Sequence, residues 1–112
     1  MHMKNFSVLH QNGEINLAPA YDLINANLLN PKDIEDLAMT FNGKNKKIAR
    51  KDFDAVASTL KVPEVTVKRL IKKYTEGTEK AFDLIDQSYL SPEFKDDYKK
   101  IWIEKIGRLS WF

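Results

Sequence analysis

The apolar positions change period partway along the chain. From Phe6 to Leu17 they alternate with polar ones on either side of Asn12-Gly13, predicting a hairpin of strands Phe6–His10 and Ile15–Leu17. Asn-Gly suits a two-residue type I′ turn, whose two central residues both need positive φ. The next segment, Leu23–Asn30, is asparagine-rich and reads as a loop ending at Pro31, with a short turn of helix over Asp33–Leu37. A second hairpin is predicted from Leu37–Phe41 and Lys46–Ala49 around Asn42-Gly43-Lys44-Asn45, with Leu37, Met39 and Phe41 on one face.

From Lys51 onward the period becomes helical. Phe53, Val56, Ala57 and Leu60 recur at the spacing of one helix face. Val62-Pro63 breaks that helix and opens a second, which carries Val65, Leu70, Ile71 and Tyr74 and stops at Gly77. Thr78 is placed to cap a third helix with Ala81, Phe82, Ile85 and Tyr89. Ser91-Pro92-Glu93 starts a fourth, cap followed by Pro at the first position, with Phe94, Tyr98, Ile101, Trp102, Ile106 and Leu109. The expected fold is α+β and mainly α, two hairpins followed by about four helices, in one domain over residues 1–112. The aromatic residues Tyr74, Phe82, Tyr89, Phe94, Tyr98 and Trp102 are expected in its core.

The hairpin register carries the first chemistry. If Asn12 and Gly13 are the turn, Gln11 faces Glu14, Val8 faces Leu17, Phe6 faces Pro19 and Asn5 faces Ala20. Period-two alternation then puts Asp22 on the face of Asn5, one diagonal step further on. Diagonal neighbours lie roughly 7–8 Å apart, within reach of one shared cation. A carboxylate and an amide oxygen are hard ligands of the kind Mg²⁺ takes, with waters and phosphate oxygens completing the shell. The competing reading makes both residues turn formers and caps, and a slip of one residue would put them on opposite faces.

Charge and composition narrow the classes. The net charge of +2 is too small to indicate a nucleic-acid partner by itself. The absence of cysteine excludes disulfides and thiolate metal sites. No apolar run approaches the ~18 residues of a membrane span and no signal peptide opens the chain, so a soluble, cytoplasmic protein without membrane contact is expected. The densest charge run, Lys44, Lys46, Lys47, Arg50 and Lys51, reads as a solvated hairpin tip rather than a phosphate patch. His2 and His10 have no partner at zinc spacing, and Ser7 lacks the other members of a nucleophilic triad.

The run His2-x-Lys4-Asn5-Phe6-Ser7, followed by Leu17-Ala18-Pro19-Ala20-Tyr21-Asp22-Leu23, resembles the C-terminal catalytic region of HipA-family serine/threonine kinases, the toxins of bacterial toxin–antitoxin pairs. That motif reads Asp-x-His-x-(Lys/Arg)-Asn, a hairpin, then (Ala/Ser)-Pro-x-Tyr-Asp. The resemblance implies that Asn5 is the metal-binding asparagine of a kinase catalytic loop. It implies that Asp22 plays the metal-binding part of the aspartate in Asp-Phe-Gly. His2 falls at the motif histidine, near where other kinases carry a phosphate-contacting lysine, and is the only candidate catalytic position.

The motif's catalytic aspartate would lie one residue before Met1. The glycine-rich loop, strand lysine and glutamate partner that hold ATP in kinases have no counterpart in the 112 residues, and no GxGxxG or Walker-type sequence occurs. The expectation is therefore an N-terminally truncated kinase C-lobe. The intact family kinase would use Mg²⁺ and ATP, but this chain alone would bind neither tightly and would not catalyse transfer. By resemblance the partners would be a HipB-like helix-turn-helix antitoxin and a protein substrate such as an aminoacyl-tRNA synthetase, with DNA touched at most indirectly. Self-association through the face bared by truncation, Phe6, Val8, Ile15 and Leu17, is also expected.

A different class of reading makes the chain a non-catalytic binding module. Residues 55–73, VASTLKVPEVTVKRLIKK in their core, superficially resemble a helix-turn-helix that could dock an antitoxin or touch DNA, with Lys68, Arg69, Lys72 and Lys73 for phosphates. Glu64, Val65, Thr66 and Val67 are poor base readers, however. Two packed amphipathic helices produce the same pattern without DNA.

Overall fold

The computed structural model describes residues 3–110. A short 3-10 turn at Met3–Asn5 leads into strands β1 (Val8–Gln11) and β2 (Glu14–Leu17), which pair antiparallel with Val8 opposite Leu17 and Gln11 opposite Glu14. Asn12 at φ 51° and Gly13 at φ 78° make the turn, so the register is the one that Asn-Gly dictates. Pairing ends where the Ala18 N–H donates to the Ser7 carbonyl at 2.8 Å. Asn5 therefore sits in the 3-10 turn rather than on an extended strand.

Among the described residues five helices follow: α1 (Ala26–Leu29), α2 (Arg50–Thr59), α3 (Glu64–Glu76), α4 (Thr78–Gln87) and α5 (Pro92–Leu109). The architecture is α+β, mainly α. The four long helices fall where the apolar period put them, and Ser91 caps α5 by accepting from the Phe94 N–H at 3.3 Å ahead of Pro92. Helices α3, α4 and α5 pack on one another, with α2 against α3 and α1 against α5. Thr78 begins α4 rather than capping it, and its hydroxyl bonds the Thr75 carbonyl at 2.8 Å.

The segment between the hairpin and α2 departs from expectation. Helix α1 forms inside the stretch read as loop, because Asn25 accepts from the Leu28 N–H at 3.2 Å and so caps a single turn. No helix forms over Asp33–Leu37. The second hairpin shrinks to one bridge, Phe41 with Lys44, around Asn42 (φ 52°) and Gly43 (φ 72°). Its flanks do not run on as strands: Asp36 and Leu37 both donate their N–H groups to the Asn45 carbonyl, and Lys47 turns to φ 52°. The Phe41 ring instead rests on Phe53 of α2, with centroids 4.9 Å apart.

The core is small. Leu28, Ile48, Val67 and Ile85 are its buried apolar residues. Of the aromatic residues expected inside, Phe82, Tyr98 and Trp102 are half-buried, whereas Tyr74, Tyr89 and Phe94 are exposed. Tyr74 and Phe94 lie on exposed faces of α3 and α5, and Tyr89 falls in the bend after α4, which ends at Gln87 short of the position expected for it. The radius of gyration, 16.1 Å, exceeds the roughly 13 Å of a compact chain of this length. Phe6, Val8, Ile15 and Leu17 are all more than half exposed, since each strand of the hairpin packs mainly on the other.

Candidate metal centre

The hairpin brings its two ends together. Beyond the Ser7–Ala18 bond the chain diverges, the N-terminal side folding back so that the Phe6 N–H donates to the Met3 carbonyl at 3.1 Å. On the other side Tyr21 donates its hydroxyl to the Lys4 carbonyl at 3.2 Å, and Asp22 adopts φ 55°. Positive φ is unusual for a non-glycine residue outside tight turns and is tolerated best by Asn and Asp. The outcome is that Asn5 donates from Nδ2 to Asp22 Oδ2 at 3.3 Å. Sequence parity anticipates the meeting, while the route is a 3-10 turn opposite a left-handed aspartate rather than a continued ladder. His2 lies outside the described residues.

Asn5 and Asp22 line an open cleft of about 690 Å³ together with Lys4, Asn25, Asn27, Glu35, Asp36 and Lys105. Its remaining wall is apolar, with Ile24, Leu37, Ile48, Phe53, Tyr98, Ile101 and Leu109. An amide oxygen and a carboxylate suit Mg²⁺, which commonly takes one or two protein ligands and completes its octahedron with water and phosphate. Among the described residues no three His, Cys, Asp or Glu side chains gather as a metal cage. Two such oxygens could hold a largely hydrated ion but could not form a closed structural site.

Two further carboxylates organise the surroundings, and neither was singled out from sequence. Asp36 accepts from the Ile48 N–H at 2.9 Å and from Arg108 Nη1 at 3.0 Å, and it is also bound by Lys105. Burial pushes the Asp36 carboxyl up. The hydrogen bonds from Lys105 and Ile48 and the charges of Lys105 and Arg108 outweigh it and hold the group below its ordinary value. Asp52, the most buried of the described side chains, takes Lys44 Nζ at 2.6 Å, Asn42 Nδ2 at 3.0 Å and the Ala49 N–H at 2.9 Å. The Lys44 and Asn42 hydrogen bonds lead in lowering it to about 2. Asp52 supplies the reaching-back half of a capping box for α2, while Ala49 has no side chain to supply the other half. A first-turn acid is a readable helix signal, but its lysine and asparagine partners are not.

The basic cluster is partly neutralised as a result. Lys44 is held by Asp52 and Arg50 by Asp54 at 3.0 Å, so the run is tied to α2 rather than presented together. On α3, Lys68 pairs with Glu64 and Lys72 with Glu76.

The hairpin-borne amide–carboxylate pair thus stands ahead of a bundle of helices. A family model described as the HipA-like C-terminal domain matches residues 1–82, and the chain belongs to that family. Comparison with curated proteins finds no match. No helix among the described residues is long and apolar enough to cross a membrane.

Proposed function

We propose that these residues are the metal-binding and helical part of an ATP- and Mg²⁺-dependent protein serine/threonine kinase of toxin type, forming one C-lobe domain over residues 1–112. The observation that carries this reading is the 3.3 Å contact between Asn5 and Asp22, made inside the family-matched segment at the two motif positions. Asn5 and Asp22 would hold the Mg²⁺, whose charge would offset the negative charge of the nucleotide phosphates during phosphoryl transfer. Asp22 would offer it one carboxylate oxygen and Asn5 its Oδ1, once the amide turns from the arrangement in which Nδ2 donates to Asp22, with Tyr21 bracing the turn through the Lys4 carbonyl. His2, at the motif histidine, is assigned to the phosphate side of the same site.

Phosphoryl transfer also needs a base for the acceptor hydroxyl and a clamp on the phosphates. The 112 residues contain no glycine-rich loop to supply the clamp. Mg²⁺-ATP is therefore expected to bind these residues only on the order of millimolar, because Mg²⁺ gives up water reluctantly. Transfer by them alone should be undetectable. Calorimetry with Mg²⁺-ATP, beside radiolabel transfer to an aminoacyl-tRNA synthetase, tests both statements. Transfer that survives Asp22→Ala would overturn the assignment.

A second reading, a docking surface on the 55–73 helix pair, has one observation in its favour. Arg69 and Lys73 of α3 are exposed with no anionic partner among the described residues, beside exposed Leu70 and Tyr74. Exposed apolar side chains gain nothing from phosphates, so this face suits a protein such as a HipB-like antitoxin better than DNA. A gel shift at two salt concentrations separates the two, since phosphate-driven binding weakens steeply with salt.

A further inference from the structure

The segment that carries Asp22 has little apolar anchorage. Leu23, Ile24, Leu29 and Ile34 are each more than 60% exposed, and Leu28 alone among residues 23–37 is buried. Polar contacts take over. Asn25 caps α1, and Asn27 of α1 donates from Nδ2 to the carbonyls of Asp33 at 2.7 Å and Glu35 at 3.4 Å. Asn45 donates to the Glu35 carboxylate at 2.8 Å. The next residue, Asp36, is fixed on three sides: by the Ile48 N–H, by Lys105 and by Arg108. Its side chain is only 11% exposed. A series of bonded groups thus runs from Asn25, three residues after Asp22, to the last two turns of α5. Asp22, Asn25, Asn27, Glu35, Asp36 and Lys105 all line the cleft that holds Asn5.

The two cations lie outside the matched residues 1–82, on the part of the chain for which the family comparison gives no reading. They reach Asp36 across 69 and 72 residues of sequence. Arg108 is also held by Glu104, so its guanidinium is oriented before it meets Asp36. Two cations on one carboxylate exceed what a surface contact needs, and a single-residue loss leaves the other in place.

From this we propose that Asp36, clamped by Lys105 and Arg108 of α5, is a positioning residue for the Asn5–Asp22 pair. The clamp holds the 23–37 segment against α5, and that segment holds Asp22 in its left-handed conformation opposite Asn5. The inference rests on the reading of Asn5 and Asp22 as metal ligands, but it is testable without metal. Residues that orient ligands in this way typically change metal affinity by about 10–100-fold when lost.

The experiment uses the whole 112-residue chain and compares wild type with Lys105→Met/Arg108→Met and, as control, Lys99→Met. Lys99 is also on α5 and forms an ion pair with Asp86 at 2.7 Å, but it makes no contact with the 23–37 segment through that pair. The Asn5 side-chain amide is followed by NMR in metal-free protein, then Mn²⁺ is titrated as the probe cation. The double variant should move the Asn5 amide resonances toward their unstructured positions and weaken Mn²⁺ binding by about tenfold or more. Lys99→Met should do neither. Asp36→Asn, which keeps the shape of the side chain, should reproduce the double variant and covers the case in which that variant fails to fold. Asn5 resonances that stay put in Asp36→Asn, or that move equally in Lys99→Met, would overturn the inference. Resonances that move while wild type binds no Mn²⁺ would sustain the positioning and remove the metal reading instead.

Discussion

Trp102 of α5 donates its indole N–H to Thr78 Oγ1 at 3.1 Å, and so ties the longest helix to the first residue of α4. Thr78 in turn donates to the Thr75 carbonyl, extending the link to the end of α3. One half-buried side chain thereby joins the three helices that form the bundle. Trp102→Ala is expected to cost about 2–4 kcal/mol, less than a fully enclosed tryptophan because the ring is half-buried. Lys47→Ala, at an exposed position, should cost under ~0.5 kcal/mol. Chemical denaturation of both variants checks the difference, and equal small effects would mean that α5 does not anchor the bundle.

Asp52 gives a pH dependence whose sign is fixed. Its carboxyl is held at about 2, against an ordinary value of 3.8, by Lys44, Asn42 and the Ala49 N–H. A folded-state value below the unfolded one means that the unfolded chain binds more protons in acid. The stabilisation is therefore present above pH about 4 and is lost as pH falls toward about 2. Denaturation midpoints of wild type and Asp52→Asn should differ at neutral pH and converge in that window. A constant difference down to pH about 2 would show that the Lys44–Asp52 pairing contributes nothing through charge.

The bare hairpin face predicts association. Val8 opposite Leu17, with Ile15 next on the same side, presents apolar side chains to water on a two-stranded sheet that is marginal alone. Sedimentation velocity should show the weight-average coefficient rising with concentration, and Val8→Lys/Leu17→Lys should abolish the rise. A monomer at every concentration would contradict it.

Local signals were the legible ones. Asn12-Gly13 set the hairpin register because both turn residues require positive φ, and the four long helices followed from apolar period and from Ser91-Pro92. The same dipeptide at Asn42-Gly43 made the same turn but no hairpin, because the chain on either side turns to bond Asn45 and to place Asp36. Helix α1 was hidden because asparagine-rich composition reads as loop, whereas here Asn25 caps and Asn27 bridges. Tyr74 and Phe94 are exposed because helical spacing gives a face but not the neighbour that covers it, and Tyr89 because α4 ends at Gln87, before reaching it. Motif and parity both single out Asn5 and Asp22, which do meet, but the extended ladder that parity assumed stops at Ser7–Ala18 and Asn5 lies in a 3-10 turn. Asp36 was not legible, since its cations come from the far end of the chain and no local pattern links them.

The most direct measurement on the Asn5–Asp22 centre is paramagnetic broadening by Mn²⁺ in the ¹H–¹⁵N spectrum of the full chain. Broadening should begin at the Asn5 side-chain amide and the backbone amides around Asp22, with an affinity on the order of millimolar, and Mg²⁺ should reverse it. Asp22→Ala should abolish the selectivity while α3, α4 and α5 remain folded. Broadening that starts elsewhere, or that persists unchanged at Asn5 in Asp22→Ala, would contradict the assignment of these two residues as metal ligands.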